Sequence, residues 1–168
     1  MELRGRHVTL RPTVAADAST LAAILAEPEV ARWWGDFDLD RVVAELIVGD
    51  PDETPFAIEQ DGVVIGYIQA VEENEPDFRS AGIDLFLRTD AQGRGHGPDA
   101  IRTLAAHLID ERGHHRLTID PATENERAVR AYAKVGFRPV GVMRRYWRDT
   151  DGRWRDGLLM DLLAGELR

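Results

Sequence analysis

The sequence predicts a mixed α/β domain built around one mostly antiparallel sheet. Three observations carry this. Asp61-Gly62 and Asp151-Gly152 each separate two strand-like runs, a strong short-range signal of a β-hairpin. Between the hairpins, Ile101, Leu104, Ala105, Leu108 and Ile109 recur at the three-and-four spacing of a buried helix face. That helical pattern comes after an apolar run, Gly82-Ile83-Asp84-Leu85-Phe86-Leu87, through a glycine-rich turn. A chain of 168 residues fits one domain, residues 1–168, with a sizeable core.

Each element has its own local cause. Residues 6–11 read as a short strand ended by Pro12. Val14, Leu21, Ile24 and Leu25 come next near helical spacing, and Pro28 punctuates that helix. Residues 41–47 read as a second short helix, with Trp33-Trp34-Gly35 in the loop before it. Residues 54–60 and 63–71 are the strands around Asp61-Gly62, and 81–87 is a further strand. Residues 116–120 form a short strand, after which Thr123-x-x-Glu126 is a capping box opening the helix of Asn125 and Tyr132. Residues 137–148 and 153–163 close the chain as the second hairpin. The order is β-α-α-β-β-β-α-β-α-β-β, with about four helices flanking the sheet.

Composition narrows the chemistry. The net charge of −9 argues against a general nucleic-acid binder. Neither a signal peptide nor a 20-residue apolar run is present, so a cytoplasmic protein without a membrane partner is expected, as a monomer or homodimer. The absence of cysteine removes disulfides, Cys-based zinc sites and a Cys nucleophile. The five histidines show no metal-ligand spacing, and no metal is inferred. Acid clusters such as Glu72, Glu73, Glu75 and Asp77 read either as a solvated surface or as an attractor of a polycation.

Gln92-Gly93-Arg94-Gly95-His96-Gly97-Pro98 is the most informative stretch. Its glycines permit a tight turn that exposes N–H groups beside the positive end of a helix, an arrangement suited to phosphate. Arg94 and His96 add positive character. The dinucleotide pattern fails because Gly97 is succeeded by Pro98-Asp99-Ala100, and the P-loop pattern fails for want of Gly-Lys-Ser/Thr. A purely structural reading stays open, with Gly97 as helix cap and Pro98 at the first helical position.

The spacing Gln92-x-x-Gly95-x-Gly97 resembles the Q/R-x-x-G-x-G/A signature of the GCN5-related N-acetyltransferases (GNAT). Asn125-x-x-Ala128-x-x-x-Tyr132-x-x-x-Gly136-Phe137 resembles that family's second element. The resemblance implies a sheet whose fourth and fifth strands, here 81–87 and 115–120, splay apart to admit the acetyl-coenzyme A thioester. It implies cofactor contacts at Phe86, Leu87, Gln92, Gly93, Arg94, Gly95, His96, Gly97, Asn125, Ala128 and Tyr132.

Acyl transfer to an amine needs a neutral amine, alignment, donors for the developing oxyanion and a proton for the leaving thiolate. Ser19 and Ser80 lie in no G-x-S-x-G elbow, so direct transfer is favoured over an acyl-enzyme. Tyr132, protonated at neutral pH, is the candidate general acid; alone, it would read as a core aromatic. Asp84 interrupts an apolar strand, which is costly unless the carboxylate has a use. Asp120 ends another, and reads equally as an Asx-turn before Pro121. Together they suit an ammonium group, and one of them suits a proton acceptor. Trp33 and Trp34 read either as a ligand wall or as loop anchors.

A narrower resemblance, to the aminoglycoside 6′-N-acetyltransferases, rests on Glu29-Val30-Ala31-Arg32-Trp33-Trp34-Gly35, Ile65-Gly66-Tyr67-Ile68-Gln69, Gly82-Ile83-Asp84 and Thr118-Ile119-Asp120-Pro121. It implies an aminoglycoside acceptor, a role in antibiotic resistance, and an acceptor site at Trp33, Trp34, Tyr67, Asp84 and Asp120. His96-Gly97-Pro98 and the long hairpin of Tyr146-Trp147 depart from that group. The Leu10-Arg11-Pro12 opening and the hairpin also resemble ribosomal-protein N-terminal acetyltransferases, and the Trp-Trp-Gly region resembles lysine acyltransferases of siderophore synthesis. A non-catalytic acyl-coenzyme A sensor is a further alternative, one that needs neither Tyr132 nor Asp84.

Overall fold

The computed structural model describes residues 1–168. In chain order the elements are β1 (Leu3–Arg4), β2 (Thr9–Pro12), α1 (Ala18–Leu25), α2 (Pro28–Trp34) and α3 (Leu39–Val42). Next are β3 (Glu53–Gln60), β4 (Val63–Glu73), β5 (Ser80–Leu87) and α4 (His96–Asp110). Then come β6 (Arg116–Ile119), α5 (Glu126–Val135), β7 (Arg138–Arg148) and β8 (Trp154–Leu163). The strands form one sheet in the order β1-β2-β3-β4-β5-β6-β8-β7.

Every neighbouring pair is antiparallel except β5 and β6. Those two strands run parallel and share only two register partners, Ala81↔Leu117 and Gly82↔Thr118. Beyond Gly82, β5 stays paired with β4 as far as Leu87, while β6 stays paired with β8 as far as Met160. The sheet therefore opens in its middle, as the splayed strands expected from the sequence require.

Strand alternation divides the core between the two faces. Tyr67 packs with Leu21, Leu25, Val42 and Leu46 beneath α1 to α3. Its neighbour Ile68 packs on the other face with Phe56, Ile101, Leu104 and Leu108 beneath α4. Helix α4 is also tied to the start of the chain. The buried Asp99 carboxylate accepts the backbone N–H groups of Arg6 at 3.1 Å, His7 at 2.6 Å and Val8 at 3.1 Å.

The structure differs from the sequence expectation at several element ends. There are five α-helices rather than about four, because Pro28 opens a helix as its first residue. Trp33 and Trp34 thus end α2 instead of lying in a loop. Asp38 caps α3, which continues as a π-helical turn over Val43–Val48. The cap of α5 is Asn125, whose side chain accepts from Ala128 N at 3.3 Å, rather than Thr123. Gly95, at φ 86°, precedes α4, so Gly97 and Pro98 lie within its first turn. The short β1 strand has no apolar signal of its own; it pairs Leu3 with Leu10.

Candidate functional site

A cleft of about 860 Å³ lies where β5 and β6 part. Two groups of residues line it.

The first group surrounds the glycine-rich loop. Gly93 and Gly95 take φ of 72° and 86°, a region that glycine enters without steric cost. Pro98 has no N–H, and the first backbone bond back along α4 is Asp99 N to Gly95 O at 3.1 Å. The N–H groups of the first turn are thus left for a ligand. Gln92 braces this loop: its amide donates to Leu87 O at 2.9 Å, and its Oε1 accepts from Arg127 Nη1 at 3.1 Å. A Cβ on Gly93 would meet Arg127 Nη2 at 2.8 Å. Arg127, Arg130 and Lys134 recur along one side of α5, and all three line the cleft. This cradle fits an extended phosphate-bearing ligand such as acetyl-coenzyme A: glycine backbone against the phosphates and cations beside them.

Phe86, Leu87, Gln92, Gly93, Gly95 and Gly97 line the cleft, as do Asn125, Ala128 and Tyr132. Two expected contacts lie elsewhere. His96 is buried with its Nδ1 unpartnered, and Arg94 is exposed; neither side chain lines the cleft. The positive charge comes instead from α5. Sequence reasoning missed Arg127 because it lies 35 residues from Gln92. The available signal was the recurrence of Arg127, Arg130 and Lys134 on a helix that also carries Tyr132.

The second group surrounds Asp84 and Asp120, which face the gap from β5 and from the residue after β6. Burial pushes the Asp84 carboxyl up to about 6, with the charge of Asp120 adding to it. Its one protein donor, Gln69 Nε2, stands at 3.4 Å. Burial also raises Asp120, and the Tyr146 hydroxyl, which donates to Asp120 Oδ2 at 2.5 Å, pulls it back. Tyr132 stands between the groups, its hydroxyl pushed above its ordinary range by burial and by Asp84 and Asp120.

Trp33 and Trp34 line the same cleft. Trp33 meets Trp147 of β7 at 6.2 Å between ring centroids, joining α2 to the terminal hairpin across the mouth. Trp34 packs edge-on against Phe86 at 5.0 Å, so it acts as wall and anchor together. Tyr67 does not reach the cleft. It shares the face of Asp84 but lies beneath Phe86 and Trp34, where its ring stacks on Phe86 at 5.5 Å and its hydroxyl donates to Gln69 Oε1 at 2.6 Å. Tyr67 therefore bears on Asp84 only through Gln69. No group of His, Cys, Asp and Glu is arranged to hold a metal ion, and no helix is long and apolar enough to cross a membrane.

Known proteins resemble this arrangement along nearly the whole chain. Aminoglycoside N(6′)-acetyltransferase type 1 of Klebsiella pneumoniae is 28% identical over 155 residues, 81% of this chain and 76% of that protein. Spermidine N(1)-acetyltransferase of Escherichia coli is 26% identical over 164 residues, 91% of this chain and 84% of that protein. Among solved structures, Mycobacterium smegmatis RimJ in complex with CoA-disulfide superposes with a TM-score of 0.81 at 28% identity, covering 99% of this chain and 88% of that one. The acetyltransferase (GNAT) domain matches residues 7–138. With the splayed sheet, the glycine cradle and these likenesses in agreement, the chain belongs to the GNAT family of acetyltransferases.

Proposed function

We propose that the protein transfers acetyl directly from acetyl-coenzyme A to a primary amine of a polycation, the 6′-amine of an aminoglycoside antibiotic, and so confers resistance. The observation that carries this reading is the pair Asp84 and Asp120, two half-buried carboxylates facing one gap beside the glycine cradle. Two anions so placed repel each other until a cation lies between them. The reading includes a cytoplasmic site of action, where acetyl-coenzyme A is supplied.

When bound, acetyl-coenzyme A supplies an activated acetyl thioester. The loop N–H groups and Arg127 hold its phosphates, while Arg94 is exposed on the loop and His96 is buried at the start of α4. Asn125, spent as the cap of α5, holds the turn that faces the acyl chain, with Ala128 leaving room beside it. Asp84 and Asp120 bind the acceptor ammonium, and one of them takes its proton. The freed nitrogen lone pair forms the C–N bond as the C–S bond breaks, and the nitrogen sheds its second proton to water. Tyr132 gives its proton to the departing sulfur; raised above its ordinary range, it stays protonated until that moment. Trp33 and Trp34 cover the apolar faces of the acceptor rings.

Thiol release from acetyl-coenzyme A tests the reading, with kanamycin, tobramycin, spermidine and a ribosomal-protein N-terminal peptide as acceptors. Fast turnover confined to the aminoglycosides is the expected result. Preference for spermidine or peptide would move the acceptor to another amine, and tight binding without turnover would make the protein a sensor.

Asp84 sets two further outcomes. With its carboxyl at about 6, kcat/KM for the acceptor falls about tenfold per unit below pH 6 and levels off above it. The sign comes from the charge: the ionised form, present above that value, both binds ammonium and accepts a proton. A profile flat from pH 5 to 8 would remove Asp84 from the reaction. Asp84→Asn is expected to lower kcat/KM for the acceptor about a hundredfold, the order lost on truncating a buried charge pair. Acetyl-coenzyme A affinity should hold within about twofold, checked by calorimetry.

A further inference from the structure

The path of β7 contains an irregularity that places one side chain. Met143 pairs with Gly157 and Trp147 with Arg155, so Arg144, Arg145 and Tyr146 stand opposite Asp156 alone. Arg145 takes φ of 51°, which a residue with a side chain adopts only where its surroundings hold it. Its N–H donates to Asp156 Oδ1 at 2.8 Å, which fixes the bulge. The bulge lays the Tyr146 ring over Gly157, where any Cβ would stand 2.7 Å from Tyr146 Cδ1. From there the hydroxyl reaches Asp120 Oδ2 at 2.5 Å.

Asp120 is fixed from the same strand. Leu158 N–H donates to Pro121 O at 2.8 Å, and Thr123 N–H to Asp156 O at 3.0 Å. Donor and acceptor thus share β8 as their frame, although they come from segments 26 residues apart. Asp84 has no such partner, only Gln69 at 3.4 Å, whose own oxygen is taken by Tyr67.

We propose that Tyr146 is a positioning residue that divides the work of the two aspartates: it keeps Asp120 as the anionic anchor of the acceptor ammonium and leaves Asp84 to take the proton. This rests on the transferase reading of the cleft. Two close carboxylates cannot both ionise freely, and the one with the short donor keeps its charge to lower pH. A carboxylate has about four acceptor positions, so the Tyr146 bond leaves Asp120 room for an ammonium. The other groups facing the pair do not reverse the order. Tyr132 on α5 is a neutral acid, and Glu53 on β3 adds repulsion to Asp84. Burial raises both carboxyls, and the Tyr146 bond opposes that rise at Asp120 alone. In the transfer, one ammonium proton goes to Asp84 and the Tyr132 proton to sulfur; the second proton that nitrogen sheds as the C–N bond forms passes through water to restore Tyr132, and Asp84 releases its proton to solvent.

Tyr146→Phe removes the hydroxyl and keeps the ring over Gly157, and Gly157→Ala displaces the ring. The test is a carboxyl ¹³C NMR titration of Asp84 and Asp120 in wild type and both variants, beside steady-state kinetics. In Tyr146→Phe the Asp120 midpoint is expected to rise by about one pH unit, the worth of one hydrogen bond to a charge. The acceptor KM should rise about tenfold with kcat within about twofold, and Gly157→Ala should move both in the same direction. An unmoved Asp120 midpoint, or a fall in kcat at unchanged KM, would overturn the inference. The titration needs no turnover, so a wild type inactive on every amine overturns the proposed function instead, and Asp120 still answers for Tyr146.

Discussion

Replacing Tyr132 with Phe is expected to lower kcat about a hundredfold or more, the usual worth of a placed general acid. The thiolate would then leave without a proton, in a cleft where water is a poor substitute. The ring would remain against the larger core cluster, where Tyr132 packs as a half-buried member. Acetyl-coenzyme A affinity is therefore expected to hold within about twofold, because the change removes one atom and no packing surface. Single-turnover kinetics at saturating donor would read the chemical step directly. Turnover equal to wild type would return Tyr132 to the core residue that its helical spacing alone suggests. The hydroxyl makes no hydrogen bond within the protein and is raised by burial and then by Asp84 and Asp120, a setting suited to an acid kept protonated at neutral pH.

Asp99→Ala is expected to produce the largest loss of stability. Its carboxylate satisfies three consecutive backbone N–H groups, at Arg6, His7 and Val8. Removal strands the buried Val8 N–H, while those of the exposed residues Arg6 and His7 turn to water. One stranded buried donor costs ~1–3 kcal/mol and the two exchanged for water add less, so a loss of about 2–4 kcal/mol is expected. In a chain of this length that lowers Tm by roughly 10 °C. The site has little freedom to adjust: a Cβ on Gly5 would already meet Thr103 Oγ1 at 2.5 Å and Asp99 Oδ2 at 2.7 Å. Asp99→Asn, which keeps one acceptor oxygen, should fall between. A Tm within about 2 °C of wild type for Asp99→Ala would show that the N-terminal loop finds other partners.

The legible part of the fold was the part encoded locally. The hairpins at Asp61-Gly62 and Asp151-Gly152, the apolar stripe of α4 and the order of elements need only neighbours in the chain. Helix α2 was missed because seven residues with one buried apolar position, Val30, give no periodicity, and Pro28 reads as a stop as readily as a start. The site was less legible because its side chains meet across long separations. Arg127 reaches Gln92 from another helix, and Tyr146 reaches Asp120 through a bulge that no composition announces. Tyr67 could have been placed better. Alternation gives it one face of β4 with Gln69, the face of Asp84, but β4 lies one strand in from the gap, so Phe86 of β5 covers the ring.

The two register pairs that join β5 to β6 have a consequence for how such a chain diversifies. They divide the sheet into two panels that share little hydrogen bonding. One panel and its adjoining loop carry the glycine cradle. The other panel, with its hairpin, carries Asp120, Tyr146 and Trp147. Substitutions on the hairpin can remodel what approaches the gap without disturbing the ladder that frames the donor. Under the proposed function, such changes reshape the Asp120 side of the gap, while Asp84, Trp33 and Trp34 stay with the glycine loop's panel, so the narrow joint lets one wall of the acceptor site vary by itself.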